Sequence, residues 1–181
     1  MSQPIKTLKT LNPTAEEIEA LPYAYQPDLT KVLDAVDADF DQALINEIVL
    51  WKVNRYAEID EETLGWINQI DRTGKEIDES LTRKILMKLL DKRSKGFRLP
   101  MASTILRFRN PKIYQIIDQR AYRMLYGHTY KHSTVPQTNT ELYLKYLIDL
   151  RAACEGTPVI FENADRDLYA LDKLSNGKIK Y

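Results

Sequence analysis

The chain has 181 residues, 44% of them hydrophobic and 29% charged, and its formal net charge at pH 7 is zero. This length fits one domain, or one domain with a short arm, and the composition is too apolar for a disordered protein. No charged-then-apolar leader and no apolar run of the roughly 20 residues needed to cross a bilayer are present, so we expect a cytoplasmic protein with no membrane partner.

The first 38 residues are predicted to form an arm with short helices. Residues 1–13 carry two prolines and no clear apolar period. Thr14 is followed three residues later by Glu17, which matches a capping box, so a short helix is expected to begin there and to end near Pro22. Pro27 marks a further helix start.

Residues 39–181 are predicted to form one all-α domain. Between residues 39 and 56 the apolar side chains recur at intervals of three and four, which predicts a helix with a buried face. Shorter helices are predicted over residues 61–70 and 77–90. They are separated by a turn that contains Gly74.

Residues 91–98, which we call the basic turn, interrupt the apolar rhythm. A helix resumes over residues 99–108, and its proline is tolerated because the first helical turn does not need that N–H. The sequence therefore predicts a helix, a tight hairpin and a second helix. Asn110 and Pro111 end the second helix.

An apolar connection over residues 113–117 leads to Asp118. Aspartate at this position is predicted to cap a helix over residues 119–126 that ends at Gly127. A polar loop over residues 128–140, a helix over 141–154 and a last helix over 165–174 complete the prediction.

Charge is divided unevenly along the chain. Residues 1–82 hold 17 acidic and 7 basic residues, residues 83–131 hold 2 and 13, and residues 132–181 hold 7 and 6, so the segment nets are −10, +11 and −1. A segment of net charge +11 in a neutral chain is typical of a nucleic-acid-binding site. The alternative is that these cations pair with the acidic first third of the chain.

The basic turn is a candidate phosphate site. Its charged residues and its glycine are Lys92, Arg93, Lys95, Gly96 and Arg98. A turn that opens a helix presents backbone N–H groups and the positive end of the helix dipole to an anion. A solvated connection between two core helices remains the alternative.

Asp118 is the second candidate, because it is the only carboxylate between Lys92 and Lys131. A functional carboxylate and a structural helix cap are both consistent with its position. The cap alone would stabilise the helix by about 1 kcal/mol.

A family resemblance rests on the residues that follow the basic turn. Gly96-Phe-Arg-Leu-Pro-Met-Ala102-Ser, then Ile105-Leu106, Pro111 and Ile116-Ile-Asp118, resemble the signature of the helix-hairpin-helix DNA glycosylases. The resemblance covers residues 39–127. It implies an all-α bundle of two lobes with a helix-hairpin-helix motif, and it makes residues 39–181 a glycosylase-like domain.

The chain departs from the family pattern at three places. The second glycine of the usual hairpin is replaced, since this turn contains Gly96, Phe97 and Arg98. Pro100 stands where bifunctional members carry the lysine that forms a Schiff base, so lyase chemistry at that position is absent. Lys52-Val53-Asn54 stands where many members carry a Gln-Gln-Thr-like stretch that enters the duplex.

The resemblance implies a monofunctional glycosylase that flips a modified base out of double-stranded DNA and hydrolyses its N-glycosidic bond, with Asp118 as the catalytic residue. The residues expected to contact the base are Trp51, Tyr56 and Trp66, each of which could instead be a core aromatic. The residues expected to contact the DNA, besides those of the basic turn, are Lys52, Asn54, Arg55, Arg120 and Arg123.

No cofactor is expected. The single cysteine, Cys154, excludes an internal disulfide and a four-cysteine iron–sulfur cluster. His128 and His132 fall in a predicted loop, so a metal site is not expected there. A catalytically silent DNA-binding relative and a protein-interaction module whose acidic first third docks on a partner remain alternatives. The sequence does not determine the oligomeric state or the base recognised.

Overall fold

The computed structural model describes residues 4–22, 27–53, 59–94 and 97–179. These residues form ten α-helices and one 3₁₀ turn and contain no β-strand, which confirms the all-α class. The helices are α1 (Leu8–Leu11), α2 (Ala15–Glu19), α3 (Pro27–Asp34), α4 (Gln42–Val53), α5 (Glu61–Asn68), α6 (Glu79–Leu89), α7 (Leu99–Arg109), α8 (Gln119–Tyr126), α9 (Pro136–Cys154) and α10 (Ala164–Ser175). The 3₁₀ turn, Phe161–Asn163, immediately precedes α10.

The amino-terminal segment is more ordered than the predicted arm. The capping box at Thr14 is confirmed, since the Glu17 N–H donates to the Thr14 hydroxyl and the Thr14 N–H donates to the Glu17 carboxylate. Residues 1–13, however, include the short helix α1, whose Leu8 is only 1% exposed. A four-residue helix has little stability of its own, so burial of Leu8 in the shared core holds it in place.

The core is built where α4, α6 and α7 meet α8, α9 and α10. Trp51 of α4 packs edge to face against Phe108 of α7, with 5.3 Å between ring centroids. The Trp51 indole N–H donates to the hydroxyl of Thr30 at 2.6 Å. This satisfied polar group allows the largest side chain of the core to be 98% buried.

Helix α7 is buried on all sides. Two cations of residues 83–131, which we call the basic segment, are therefore buried, namely Arg107 and Arg109. The Arg107 guanidinium pairs with Asp34 and lies 3.7 Å from the Asp165 carboxylate. Arg109 donates to the carbonyls of Asn68 at 2.6 Å and of Ile70 at 3.1 Å. These two arginines hold α7 to its neighbours and do not contribute to a basic surface.

The predicted loop over residues 128–140 is too long. Helix α9 begins at Pro136, five residues before the predicted start at Glu141. Proline suits this first helical position. Residues 136–140, which were predicted to lie in the loop, belong to the helix. Thr140 is fully buried, with its hydroxyl donating to the Pro136 carbonyl, and Asn139 donates to the Ser133 carbonyl.

Asp167, in the first turn of α10, should make stability depend on pH. Burial first, and then the nearby Asp165 carboxylate, raise the pKa of Asp167 to about 6 from 3.8. The folded state therefore favours the neutral form, so its stability relative to the unfolded chain falls as pH rises from about 4 to about 6. We expect Asp167→Asn to raise the free energy of unfolding by about 1–2 kcal/mol at neutral pH, after allowance for partial solvent screening.

The control for Asp167 is Asp60, whose pKa is lowered to about 2 mainly by hydrogen bonds from Thr63. Its contribution has the opposite sign, since stability is gained as pH rises from about 2 to about 4, is complete above about 4, and is lost in acid. Urea denaturation of both asparagine variants between pH 4.5 and 7 measures the difference, because only the effect of Asp167→Asn should change over that range. A gain from Asp167→Asn that did not grow between pH 4.5 and 7 would contradict the assignment.

Candidate active site

The position of Asp118 is fixed by the buried connection that precedes it. The Ile117 N–H donates to the Ser103 hydroxyl of α7 at 3.2 Å, and the Ile116 carbonyl accepts from the Tyr146 hydroxyl of α9 at 3.0 Å. Ile117 is fully buried and Ile116 is 5% exposed. The connection is thus held from both sides, which leaves the Asp118 backbone little freedom.

Asp118 caps α8, as predicted. Its Oδ1 accepts from the backbone N–H of Arg120 at 2.7 Å and from that of Ala121 at 2.8 Å. The helix ends at Gly127, whose φ of 80° favours glycine. Among the described residues, no hydrogen bond reaches Asp118 Oδ2. One carboxylate oxygen therefore serves as the cap while the second remains for a ligand.

Asp118 lies on the wall of a cavity of about 270 Å³, which we call the Asp118 cavity. Helix α4, the buried connection, the start of α8, helix α10 and the carboxyl-terminal segment all contribute to it. The lining residues are Trp51, Lys52, Ile116, Asp118, Gln119, Arg120, Asp165, Arg166, Tyr169 and Ile179. This volume is just below the usual range for ligand pockets, about 300–1,000 Å³, so it suits a small group.

Two carboxylates share this cavity. Burial raises the pKa of Asp118, the Asp165 carboxylate raises it further, and Lys52 together with the capping N–H groups opposes the rise. Asp165 is 3% exposed, and its carboxylate accepts from the N–H groups of Arg166 and Ile116. The described residues contain no group of three or more His, Cys, Asp or Glu that could hold a metal ion.

The two arginines predicted beyond Asp118 converge on one buried acid. Arg123 donates from Nε and Nη2 to Asp172 at 2.8 and 2.7 Å, and Arg120 donates to the same carboxylate at 2.9 Å. Asp172 is fully buried and Arg123 is 6% exposed, so in this structure Arg123 binds Asp172 and is not open to a DNA strand. Arg120 does line the Asp118 cavity.

The two described base-pocket aromatics, Trp51 and Trp66, are not brought together at the Asp118 cavity. Trp51 lines the Asp118 cavity, although it is almost completely buried. Trp66 does not line it; this ring lies on α5 beneath the Lys84 ammonium group, 3.8 Å from the ring centroid. Tyr56 lies outside the described residues, as do four predicted DNA contacts, Asn54, Arg55, Lys95 and Gly96.

Tyr169 is an aromatic lining residue that the sequence did not identify. It is partly exposed in the Asp118 cavity, and its ring centroid lies 5.8 Å from the Arg120 guanidinium. The one available signal was its spacing, because a residue four positions after Asp165 falls on the same helix face. This spacing identifies Tyr169 as a lining residue only when the cavity beside Asp165 is already known.

The basic turn lies at a different cavity. Lys92 and Arg98, with no ion pair to any described residue, line a space of about 440 Å³ that faces residues 132–134. Arg93 instead pairs with Asp91 at 2.9 Å. The described part of the turn and Asp118 therefore line two different cavities.

Much of the basic segment is paired with acids of the same chain, both at the surface and in the core. Lys88 pairs with Asp60 at 3.0 Å, Arg107 with Asp34, and Arg109 lies 3.6 Å from Asp39. These acids belong to the first third of the chain, which is the pairing that the alternative interpretation proposed. Arg83 pairs with Glu79, which also lies within residues 1–82, and with Glu141, which lies outside that segment.

Comparison of the chain with known protein families, with curated proteins and with solved structures gives no match. Among the described helices, none is both long and apolar enough to cross a membrane. The helix-hairpin-helix resemblance stays a prediction.

Proposed function

We propose that the chain binds double-stranded DNA as a two-lobed helix-hairpin-helix protein and acts as a monofunctional glycosylase that releases a modified base by hydrolysis. The observation that carries the proposal is the position of Asp118, on the wall of a small cavity with one carboxylate oxygen used by the helix cap and the other not. A carboxylate held this rigidly is suited to chemistry at one fixed atom.

The cavity offers the chemistry that base excision needs. An extruded nucleotide places its sugar beside Asp118, and the bond between C1′ and the base breaks with its electron pair leaving on the base nitrogen. Water then forms the new C1′–O bond and gives a proton to Asp118 Oδ2. A carboxylate beside an oxocarbenium-like centre is the device that glycosidases use.

Lys52 and Tyr169 suit two further requirements, which are an ionised Asp118 and a surface that binds the extruded base. Lys52 favours the ionised form of Asp118, which is the form that accepts a proton. Tyr169 provides a partly exposed ring on which a base can stack. Lys92 and Arg98 hold the DNA backbone at the basic turn.

A catalytically silent relative is the second candidate. It is favoured by the cap itself, because two good hydrogen bonds to Oδ1 explain an aspartate at this position without any reaction. In that case the protein binds DNA through the basic turn and releases no base.

DNA binding is tested by the salt dependence of affinity. For a fluorescein-labelled duplex, we expect the logarithm of the association constant to fall linearly with the logarithm of salt concentration. The double variant Lys92→Ala, Arg98→Ala should reduce the slope by about two, because two phosphate contacts are lost. Lys173→Ala, an exposed cation of α10 that lines neither cavity, is the matched control.

A flat salt response of the wild-type protein would remove the nucleic-acid proposal. Base release is measured separately, on duplexes that carry oxidised, alkylated or deaminated bases. Binding without release from any of them would identify the catalytically silent relative.

A further inference from the structure

The cavity at the basic turn has a second wall that the sequence did not associate with it. Lys92, Ser94 and Arg98 come from the turn, whereas His132, Ser133 and Thr134 come from the loop between α8 and α9. Asp91 also lines this cavity, but its carboxylate is paired with Arg93. Two cations without a partner among the described residues thus face a hydroxyl-rich loop.

The start of α7 opens onto the same cavity. Arg98 occupies the N-cap position and makes no side-chain capping hydrogen bond, and Leu99 is a lining residue. Pro100 has no N–H, so the N–H groups of Leu99 and Met101, together with the positive end of the helix dipole, are the backbone groups that favour an anion here. Cations, N–H groups and hydroxyls around one cavity are the donor set that a phosphate requires.

Gln119 lies between this cavity and the Asp118 cavity. Its Oε1 accepts from the Tyr130 N–H at 3.1 Å, and its Nε2 donates to the Tyr130 carbonyl at 3.0 Å, so the orientation of the amide is fixed. Nε2 also lies 3.3 Å from His132 Nε2. Gln119 lines the Asp118 cavity and His132 lines the second one, so this pair of contacting side chains lies between the two cavities.

The same contact determines which hydrogen bonds His132 can make. An amide nitrogen only donates, so His132 Nε2 must accept, and the neutral ring then carries its proton on Nδ1. His132 therefore has one N–H to offer to a further acceptor. Thr134 is exposed, and no hydrogen bond links its hydroxyl to any described residue.

We propose that His132 and Thr134 are phosphate ligands, and that one DNA strand passes from the basic turn, over the Gln119–His132 contact, to the Asp118 cavity. This inference rests on the proposed function, since it specifies how the same strand reaches Asp118. It assigns the loop between α8 and α9 to the DNA interface. Ser133 has a structural role there, because its hydroxyl accepts from the Val135 N–H at 3.0 Å.

The test uses the full chain and a fluorescein-labelled duplex with one abasic-site analogue. We expect His132→Ala to weaken binding about tenfold and Thr134→Ala about threefold, the sizes expected for one or two lost hydrogen bonds. Thr134→Ser, which keeps the hydroxyl, should restore the affinity. Thr138→Ala removes an exposed hydroxyl of α9 that does not line the cavity, and it should have no effect.

The salt dependence of the affinity distinguishes the two walls of this cavity, which are the basic turn and the loop between α8 and α9. Loss of an uncharged donor should lower affinity at every salt concentration without changing the slope, whereas loss of Lys92 or Arg98 should change it. If His132→Ala and Thr134→Ala both keep the wild-type affinity while the Lys92 and Arg98 variants lose it, His132 and Thr134 are not phosphate ligands. The proposed DNA binding would still stand. If the wild-type chain does not bind the duplex, both proposals fail. Binding without base release would contradict only the proposed glycosylase activity.

Discussion

Replacing Asp118 by asparagine is expected to slow base release by about 10²- to 10⁴-fold, the range that a positioned acid or base contributes in enzymes. Asparagine caps helices nearly as well as aspartate, so the two bonds to Oδ1 should persist. The free energy of unfolding should fall by less than about 1 kcal/mol, and because burial raises the pKa of Asp118, loss of its charge should if anything increase stability at neutral pH. Single-turnover release from a duplex substrate and urea denaturation check the rate and the stability, and the affinity for the duplex, measured in parallel, should be unchanged.

The matched control is Asp78→Asn. Asp78 caps α6 in the same way, accepting from the Leu81 N–H at 2.9 Å, but it lines neither cavity. This variant should release base at the wild-type rate. If Asp118→Asn retains the wild-type rate, the carboxylate is only a helix cap and the glycosylase proposal fails.

The pH profile should report the environment of Asp118. Only the ionised carboxylate accepts a proton, so the rate should fall as pH decreases through its pKa. Burial raises that pKa, which moves the acidic limb of the profile to higher pH than for an exposed aspartate. The limb should be absent from the residual activity of Asp118→Asn.

Replacing Asp172 by alanine is expected to cost about 3–5 kcal/mol of unfolding free energy, because it leaves buried guanidinium charge without a partner. Asp172 is fully buried and accepts from Arg123, Arg120 and Asn176. Arg123 retains only the Gly177 carbonyl among its described partners. Urea denaturation at neutral pH measures the loss.

The control for Asp172 is an exposed ion pair. Asp37, whose side chain is 94% exposed, lies 3.1 Å from Arg72, and Asp37→Ala should cost less than about 1 kcal/mol. If Asp172→Ala unfolds at a urea concentration similar to that of the control, the buried network does not hold α8 to α10. Arg123 would then again be a candidate DNA ligand.

The basic segment shows what a sequence pattern cannot predict, namely which charged side chains are exposed and which are buried in ion pairs. Composition predicted an anion site of net charge +11 over residues 83–131. In the structure Arg107, Arg109 and Arg123 are buried, and the described cations that face open space without a paired acid include Lys92 and Arg98. A charge count cannot distinguish these sets, because the partners lie far along the chain, as Asp172 does from Arg123.

The sequence by itself determined the features that depend on a few neighbouring residues. The cap at Asp118, the left-handed glycine at Gly127 and the capping box at Thr14 are hydrogen-bonded within about four residues, so their residue types are sufficient to predict them. The periods of the core helices follow in the same way from repeated burial of one face.

Only the tertiary structure decided which side chains meet. It placed Tyr169 and Asp165 beside Asp118, separated the basic turn from that cavity, and brought His132 between the two. Cavities and buried ion pairs join residues that are tens of positions apart, and their energies depend on burial, which no local pattern specifies. The cap on α8 could therefore be predicted from the sequence, but the cavity it faces could not.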